Sequence, residues 1–212
     1  MAERTTDRVG AAPFIGILRH RIGVDGQGVT TLAAFHGCPL RCRYCLNPQS
    51  TREGTKVEML TSEELVERVR VDDLYFKATG GGVTFGGGEP GLRAGFIESF
   101  REIADKEWKI NIETSLNIDR ESVETLLRVA DTIVVDIKDM DGEVYRAYTG
   151  RENRRVVENL KYIAERGMQG RCVVRVPKIE GYNTEEWQRR SVEELREMGY
   201  GELDVFEYKV LL

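Results

Sequence analysis

The chain lacks long apolar runs, blocks of like charge and low-complexity stretches, and each absence removes a class of protein. No apolar segment is long enough to span a bilayer. No basic run marks a membrane or nucleic-acid surface; the formal net charge is -5, with acidic and basic residues interspersed. The first ten residues, MAERTTDRVG, lack the apolar core of a secretory signal, so a cytoplasmic, reducing location is the expectation. No repeat or Pro/Gly-rich linker divides the 212 residues, 41% hydrophobic and 32% charged, so one globular domain over 1–212 is expected. Cysteine is scarce and unevenly placed: three of the four, Cys38, Cys42 and Cys45, fall within eight residues, and Cys172 stands alone. That distribution does not make a disulfide framework; it points to metal or redox chemistry.

Short apolar runs alternate with longer amphipathic ones. Strands are expected at 30–35, 82–85, 109–114, 132–138, 172–177 and 203–209, and helices at 62–70, 92–106, 120–129, 155–165 and 185–198. Thr61 with Glu64, and Asn183 with Glu186, read as capping boxes, and Gly167 and Gly199 as helix-ending glycines. Six strands alternating with helices give an α/β fold with a parallel sheet, either open and doubly wound or curved into a partial barrel. Faces separate the two. Ile110 and Ile112 oppose Asn111 and Glu113; Ile133, Val135 and Ile137 oppose Asp136 and Lys138; Cys172, Val174 and Val176 oppose Arg175. Charges inside a sheet need partners or a polar ligand, so a concave inner face with a site at the carboxyl ends accounts for the pattern. Internal salt bridges alone are the plainer alternative.

Cys38-Pro-Leu-Arg-Cys42-Arg-Tyr-Cys45 supplies three soft thiolates on one loop, suited to an iron–sulfur cluster or to zinc. Structural zinc takes four ligands, and His36 is the local candidate for a fourth. A cubane with three cysteine ligands leaves one iron open. The glycine-rich stretch from Gly80 to Pro90 lets a ligand approach backbone groups that a side chain would shield, and it lacks the Gly-Lys-Ser/Thr of a phosphate loop.

The Cys-x3-Cys-x2-Cys spacing, with Tyr44 before the last cysteine, resembles the signature of the radical S-adenosylmethionine (SAM) superfamily. Gly87-Gly88-Glu89 resembles its GGE motif, whose backbone and carboxylate receive the methionyl ammonium. Val24-Asp-Gly-Gln-Gly28, Phe35–Pro39, Cys45-Leu-Asn47, Thr79–Phe85, Glu113-Thr-Ser115, Asp136-Ile-Lys138, Arg175-Val-Pro177 and Gly181-Tyr-Asn183 extend the likeness. They resemble the activating enzymes of glycyl radical enzymes, of the pyruvate formate-lyase-activating type. The resemblance implies a partial (β/α)6 TIM-like barrel, one 4Fe-4S cluster on Cys38, Cys42 and Cys45, and SAM as cofactor. It implies cleavage of SAM to a 5′-deoxyadenosyl radical, which takes a glycine Cα hydrogen from a partner glycyl radical enzyme. It further implies a flavodoxin- or ferredoxin-type electron donor, for which Arg41 and Arg43 are a candidate face, and Asp136 and Lys138 as catalytic residues. Tyr44, Asn47, Gly87, Gly88, Glu89, Glu113, Thr114, Asp136, Lys138 and Arg175 would surround the cofactor.

Four departures accompany the likeness. No cysteine-rich insert is present; Gly86 stands where serine is common; Glu113 stands where several relatives carry aspartate. The last strand reads Phe206-Glu-Tyr-Lys209, without the histidine of several relatives and with no closing helix before Leu212. A radical SAM enzyme acting on a small molecule, of the deazaguanine synthase type, is the first alternative. A non-catalytic iron–sulfur or zinc protein is the second. Cys172, His20, Trp108 and Trp187 read as structural, and His36 as packing or as a hydrogen-bond donor to a sulfur.

Overall fold

A computed structural model describes residues 10–208. In chain order the elements are β1 (Ala12–Ile22), β2 (Val29–Phe35), β3 (Glu58–Leu60), α1 (Ser62–Val69), α2 (Asp73–Thr79), β4 (Gly82–Gly86), α3 (Ala94–Ile103), β5 (Lys109–Thr114), α4 (Arg120–Val129), β6 (Thr132–Asp136), α5 (Gly142–Thr149), α6 (Arg154–Glu165), β7 (Cys172–Ile179), α7 (Glu185–Glu197) and β8 (Leu203–Tyr208). The final residue of the last expected strand, Lys209, lies outside the described residues. One eight-stranded sheet runs β3-β1-β2-β4-β5-β6-β7-β8. From β2 to β8 every neighbouring pair is parallel, giving the six expected strands. The two outer additions, β1 and β3, run antiparallel and extend the sheet beyond the barrel unit.

The sheet is curved, and side chains show it. Arg175 on β7 reaches Glu113 on β5, past the intervening β6, at 2.8 Å. It also reaches the Val24 carbonyl, in the turn joining β1 to β2, at 3.2 Å. Tyr208 on β8 reaches the Tyr44 carbonyl, just beyond β2, at 2.5 Å. Strands so far apart in order meet only on the concave side of a rolled sheet. The architecture is a partial (β/α)6 barrel.

The helix-facing side is the core. Ile110, Ile112, Ile133, Val135, Ile137, Cys172, Val174 and Val176 are all buried against helices, as their alternation predicts. Amphipathic helices cover them: α4 turns Val123, Leu126 and Leu127 inward, and α6 turns Val156, Leu160 and Ile163 inward. The Thr61–Glu64 capping box forms as read, with both reciprocal bonds present. Gly167 and Gly199 end their helices at φ +67° and +88°. The second expected cap is shifted by one residue. Thr184 caps α7, because the Asn183 amide accepts from Ile179 N and donates to Asp139 and to the Pro177 carbonyl. The helix expected over 92–106 is shorter, since Pro90–Arg93 forms a 3-10 turn before Ala94. Trp108 is buried and donates to Asp73, whereas Trp187 is half-buried beneath Arg190. Among the described residues no helix is long and apolar enough to cross a membrane.

Candidate active site

The cysteine loop leaves β2 and folds back across the carboxyl ends of the strands. Its backbone is fixed at several points. Gly37 N donates to Ser50 O, Arg41 N to Thr149 O, Arg43 N to Tyr148 O, and Cys45 N to Cys42 O. Its outward carbonyls are met by guanidinium groups. Arg41 donates to those of Cys38 and Leu40, and Arg151 to that of Pro39 at 3.0 Å. Tyr44 packs edge-on against Tyr148 and Tyr182. The loop therefore has a set shape before any ligand arrives.

The glycine-rich segment is joined to this loop. Gly88 N donates to Phe35 O at 3.0 Å and Glu89 N to Gly37 O at 2.8 Å. A Cβ on Gly88 would stand 2.2 Å from the Gly37 carbonyl; Gly87 has φ +83°, and a Cβ there would meet Ala34 at 2.7 Å. What Gly88 admits is the cysteine loop's own backbone, and what Gly87 admits is Ala34 on β2.

Glu89 is held from several sides. Its carboxylate is buried and already accepts from Gly91 N (3.0 Å), Thr114 Oγ1 (2.6 Å), Ser115 N (2.9 Å) and Ser115 Oγ (2.6 Å). Four donors use its acceptor directions, so the side chain staples the glycine-rich turn to the end of β5. Thr114 is likewise committed: its hydroxyl donates to Glu89 and accepts from Leu116 N at 2.9 Å.

Two ion pairs form the floor. Asp136 and Lys138 are hydrogen-bonded to each other, and Glu113 pairs with Arg175. Burial alone would depress the Lys138 ammonium, but the charge and hydrogen bond of Asp136, with the neighbouring Cys42, together outweigh it and hold its pKa above the ordinary range. Burial pushes the Glu113 carboxyl up, and Arg175 offsets part of that. Plus and minus alternate across the floor, with no excess of either.

One cavity is lined by Cys38, Cys42, Tyr44, Cys45, Asn47, Gly87, Gly88, Glu89, Glu113, Thr114, Asp136, Lys138 and Arg175. Every residue that the resemblance places around the cluster or the cofactor lines it. Ser115, Tyr148 and Tyr208 line it too, and the sequence reading did not assign them a role. A signal existed for Tyr208, which ends a strand as Glu113 and Asp136 do. None existed for Tyr148, because α5 begins at a glycine and its periodicity is short.

The donor set fits the cofactors implied by the resemblance. All three loop cysteines are free thiols. Burial pushes Cys38 up to about 12 and Cys42 up to about 11, so neither is a nucleophile; a metal would deprotonate them on coordination. Among the described residues no three His, Cys, Asp or Glu side chains converge as ligands of a single ion would. A cubane asks for less convergence, because each cysteine binds a different iron. Alternating charges on the floor suit a zwitterionic ligand.

The profile of the Radical SAM superfamily matches residues 33–191, which include the cysteine loop, the glycine-rich segment and all four floor residues. The chain belongs to the radical SAM superfamily. That family uses a 4Fe-4S cluster and SAM, and the donor set described above accommodates both. The pyruvate formate-lyase-activating enzyme of Clostridium pasteurianum is 33% identical over 146 residues, 69% of this chain and 61% of that enzyme. The pyruvate formate-lyase 1-activating enzyme of Escherichia coli K12 is 33% identical over 154 residues, 69% and 60% respectively. The isethionate sulfite-lyase activating enzyme of Oleidesulfovibrio alaskensis is 27% identical, covering 88% of this chain and 79% of that one. This chain thus spans about three fifths of the length of the two pyruvate formate-lyase-activating enzymes. Among solved structures, Streptococcus suis SuiB bound to the precursor peptide SuiA superposes with a TM-score of 0.64 at 20% identity. That match covers 84% of this chain and 38% of SuiB, and it shows the shared fold.

Proposed function

We propose that this radical SAM protein is an activase, generating a glycyl radical on a partner enzyme in the cytoplasm. The observation that carries the reading is the meeting of three cluster-type thiols, the Gly87-Gly88-Glu89 turn and two opposed ion pairs in one cavity. When bound, the cluster and SAM supply a 5′-deoxyadenosyl radical able to take hydrogen from a carbon. Cys38, Cys42 and Cys45 hold the cluster on a loop whose shape the protein has already fixed. Lys138 offers the ligand carboxylate a donor, and Asp136 and the backbone of residues 87–88 offer the ammonium acceptors. Glu89 and Thr114 act one step back, locking the turn. Asn47 and Tyr44 border the cavity beside the cysteines. Lys138 lies deep and Asp136 is 36% exposed, which suits a floor against which a peptide segment is pressed and water displaced.

The partner class is supported by the relatives, which are named as activating enzymes of pyruvate formate-lyase and isethionate sulfite-lyase. Arg43 is exposed on the cysteine loop, with Arg41 and Arg151 beside it. They support a flavodoxin- or ferredoxin-type donor, since an acidic carrier would be drawn to this face of a chain with net charge -5. The test is anaerobic reconstitution to about four irons per chain, followed by reductant, SAM and a candidate glycyl radical enzyme. A glycyl doublet in the partner's electron paramagnetic resonance spectrum supports the activase. Formation of 5′-deoxyadenosine with no radical on any such partner replaces it with small-molecule chemistry, and no SAM cleavage ends it.

A further inference from the structure

Gly86, the last residue of β4, carries a glycine that its backbone does not require. It is not among the positive-φ glycines, and any residue can adopt an extended strand conformation. The reason for the bare Cα lies across the sheet. A Cβ at position 86 would stand 3.0 Å from Glu113 Oε2, 3.4 Å from Glu113 Cβ and 3.2 Å from Leu32 Cδ1. Register explains the meeting: Phe85 lies beside Ile112, so Gly86 and Glu113 follow on the same inward face of adjacent parallel strands. Glu113 has turned its carboxylate over the glycine, and from there Oε1 accepts from Arg175 at 2.8 Å.

Arg175 cannot follow if the carboxylate is pushed away. Its other nitrogen donates to Val24 O at 3.2 Å, and Asp204 stands 3.9 Å off on β8. The turn bearing Val24 is itself seated. Thr84 donates to the Asp25 carbonyl, Arg21 and Asp25 are paired, and Gly26 lies against Asn111. The guanidinium is thus anchored from behind, and the position of Glu113 decides how closely its charge is met on the cavity side.

We propose that Gly86 is a positioning residue for SAM binding: residues 86 and 113 form a size-matched unit, the missing side chain of one making room for the longer acid of the other, so that Arg175 is neutralised and the cavity floor is free of unpaired charge. The inference rests on the radical SAM reading of this cavity. The mechanism is steric and electrostatic together. A serine at 86 displaces the carboxylate, and the half-buried Arg175 then faces the cofactor without its closest counter-charge. An aspartate at 113 withdraws from Arg175 by one methylene but vacates the space that a serine needs. Each change alone is harmful, but once the acid at 113 is short the serine has nothing left to displace, so the two losses do not add.

The experiment is a double-mutant cycle on the reconstituted holoenzyme with G86S, E113D and G86S/E113D, reading the dissociation constant for SAM from the cluster's resonance spectrum. Thermal midpoints of the three variants are measured alongside. Each single variant is expected to weaken SAM about tenfold and the double variant to stay within about threefold of E113D alone instead of compounding the two losses, the coupling typical of side chains in contact. A merely structural role would lower the midpoints in parallel with affinity; here affinity moves with the midpoint nearly unchanged. Additive losses in the double variant, or a G86S enzyme that binds SAM as wild type does, overturn the proposal while leaving the enzyme class intact. A wild-type holoenzyme whose spectrum does not respond to SAM overturns the class itself.

Discussion

The two faces of β5, β6 and β7 come from the same stretches of sequence and obey opposite rules. On the helix side Ile112, Val135 and Val174 are fully buried, and their neighbours are apolar. On the concave side Glu113, Asp136 and Arg175 sit one residue away along the same strands, partly exposed, in ion pairs. Burial of the first set supplies the driving force for folding. The second set contributes little to it, because ion pairs taken out of water recover little more than their desolvation cost. One face holds the domain together, and the other is free to be chosen for chemistry.

Breaking the chemical side gives the largest effect. Cys42→Ala removes one cluster ligand, and SAM cleavage should fall by at least about a thousandfold with loss of bound iron. Cys42 touches the core only from its half-buried edge, so a cooperative unfolding transition should persist. Iron content and 5′-deoxyadenosine yield, read beside circular dichroism, check this; a variant that keeps both iron and activity removes Cys42 from the ligand set.

Breaking the other side reverses the pattern. Ile112→Ala leaves a cavity beneath the helices and should cost roughly 2–5 kcal/mol of stability. SAM affinity per folded molecule should stay near wild type, although residue 112 adjoins Glu113. Denaturant titration and cofactor titration on the same preparation separate the two quantities, and equal losses in both would dissolve the distinction between the faces.

Much of this division is legible from alternation alone. In Lys109–Thr114 the period of two names both faces correctly, because the strand is buried on one side by helices and lined on the other by a cavity. Cys172 reads as a small buried hydrophobe and is one. The cysteine loop and the glycine-rich turn are equally visible, since their chemistry is local. Less visible is what depends on distant parts. β1 lies outside the expected set because its alternation is irregular, with register shifts between Phe14 and Gly16 and between Leu18 and Arg21. The commitment of Glu89 to Thr114 and Ser115 spans about 25 residues of sequence and two strands, so no local pattern carries it. Gly87 and Gly88 read as making room for a ligand, yet the room is filled by Gly37 and Ala34, which only the fold brings there.

Asp72 is the useful exception, a carboxylate lodged in the helix-side layer with no exposed surface. It keeps its charge by collecting partners: Arg19 Nε and Nη2, Thr31 Oγ1 at 2.7 Å, and His20 Nε2 at 3.0 Å. His20 holds φ 57°, a left-handed conformation uncommon outside glycine, and the bulge in β1 aims it at that carboxylate. Burial would push the Asp72 carboxyl up, but the hydrogen bonds from Arg19 and Thr31 outweigh it and leave its pKa below the usual range. A carboxyl depressed in the folded state lends stability that is complete above its unfolded pKa of about 3.9 and disappears as pH falls through the folded value. Asp72→Asn should therefore cost about 2 kcal/mol at pH 7, the penalty of leaving Arg19 with a neutral partner and an amide turned toward donors. The gap between wild type and variant should stay constant from about pH 7 to pH 5 and narrow below about pH 4. Denaturant titrations across that range measure it. A gap as wide at pH 3 as at pH 7 would mean that the charge on Asp72 adds nothing, and that a polar group on this side of the sheet is tolerated for its shape alone.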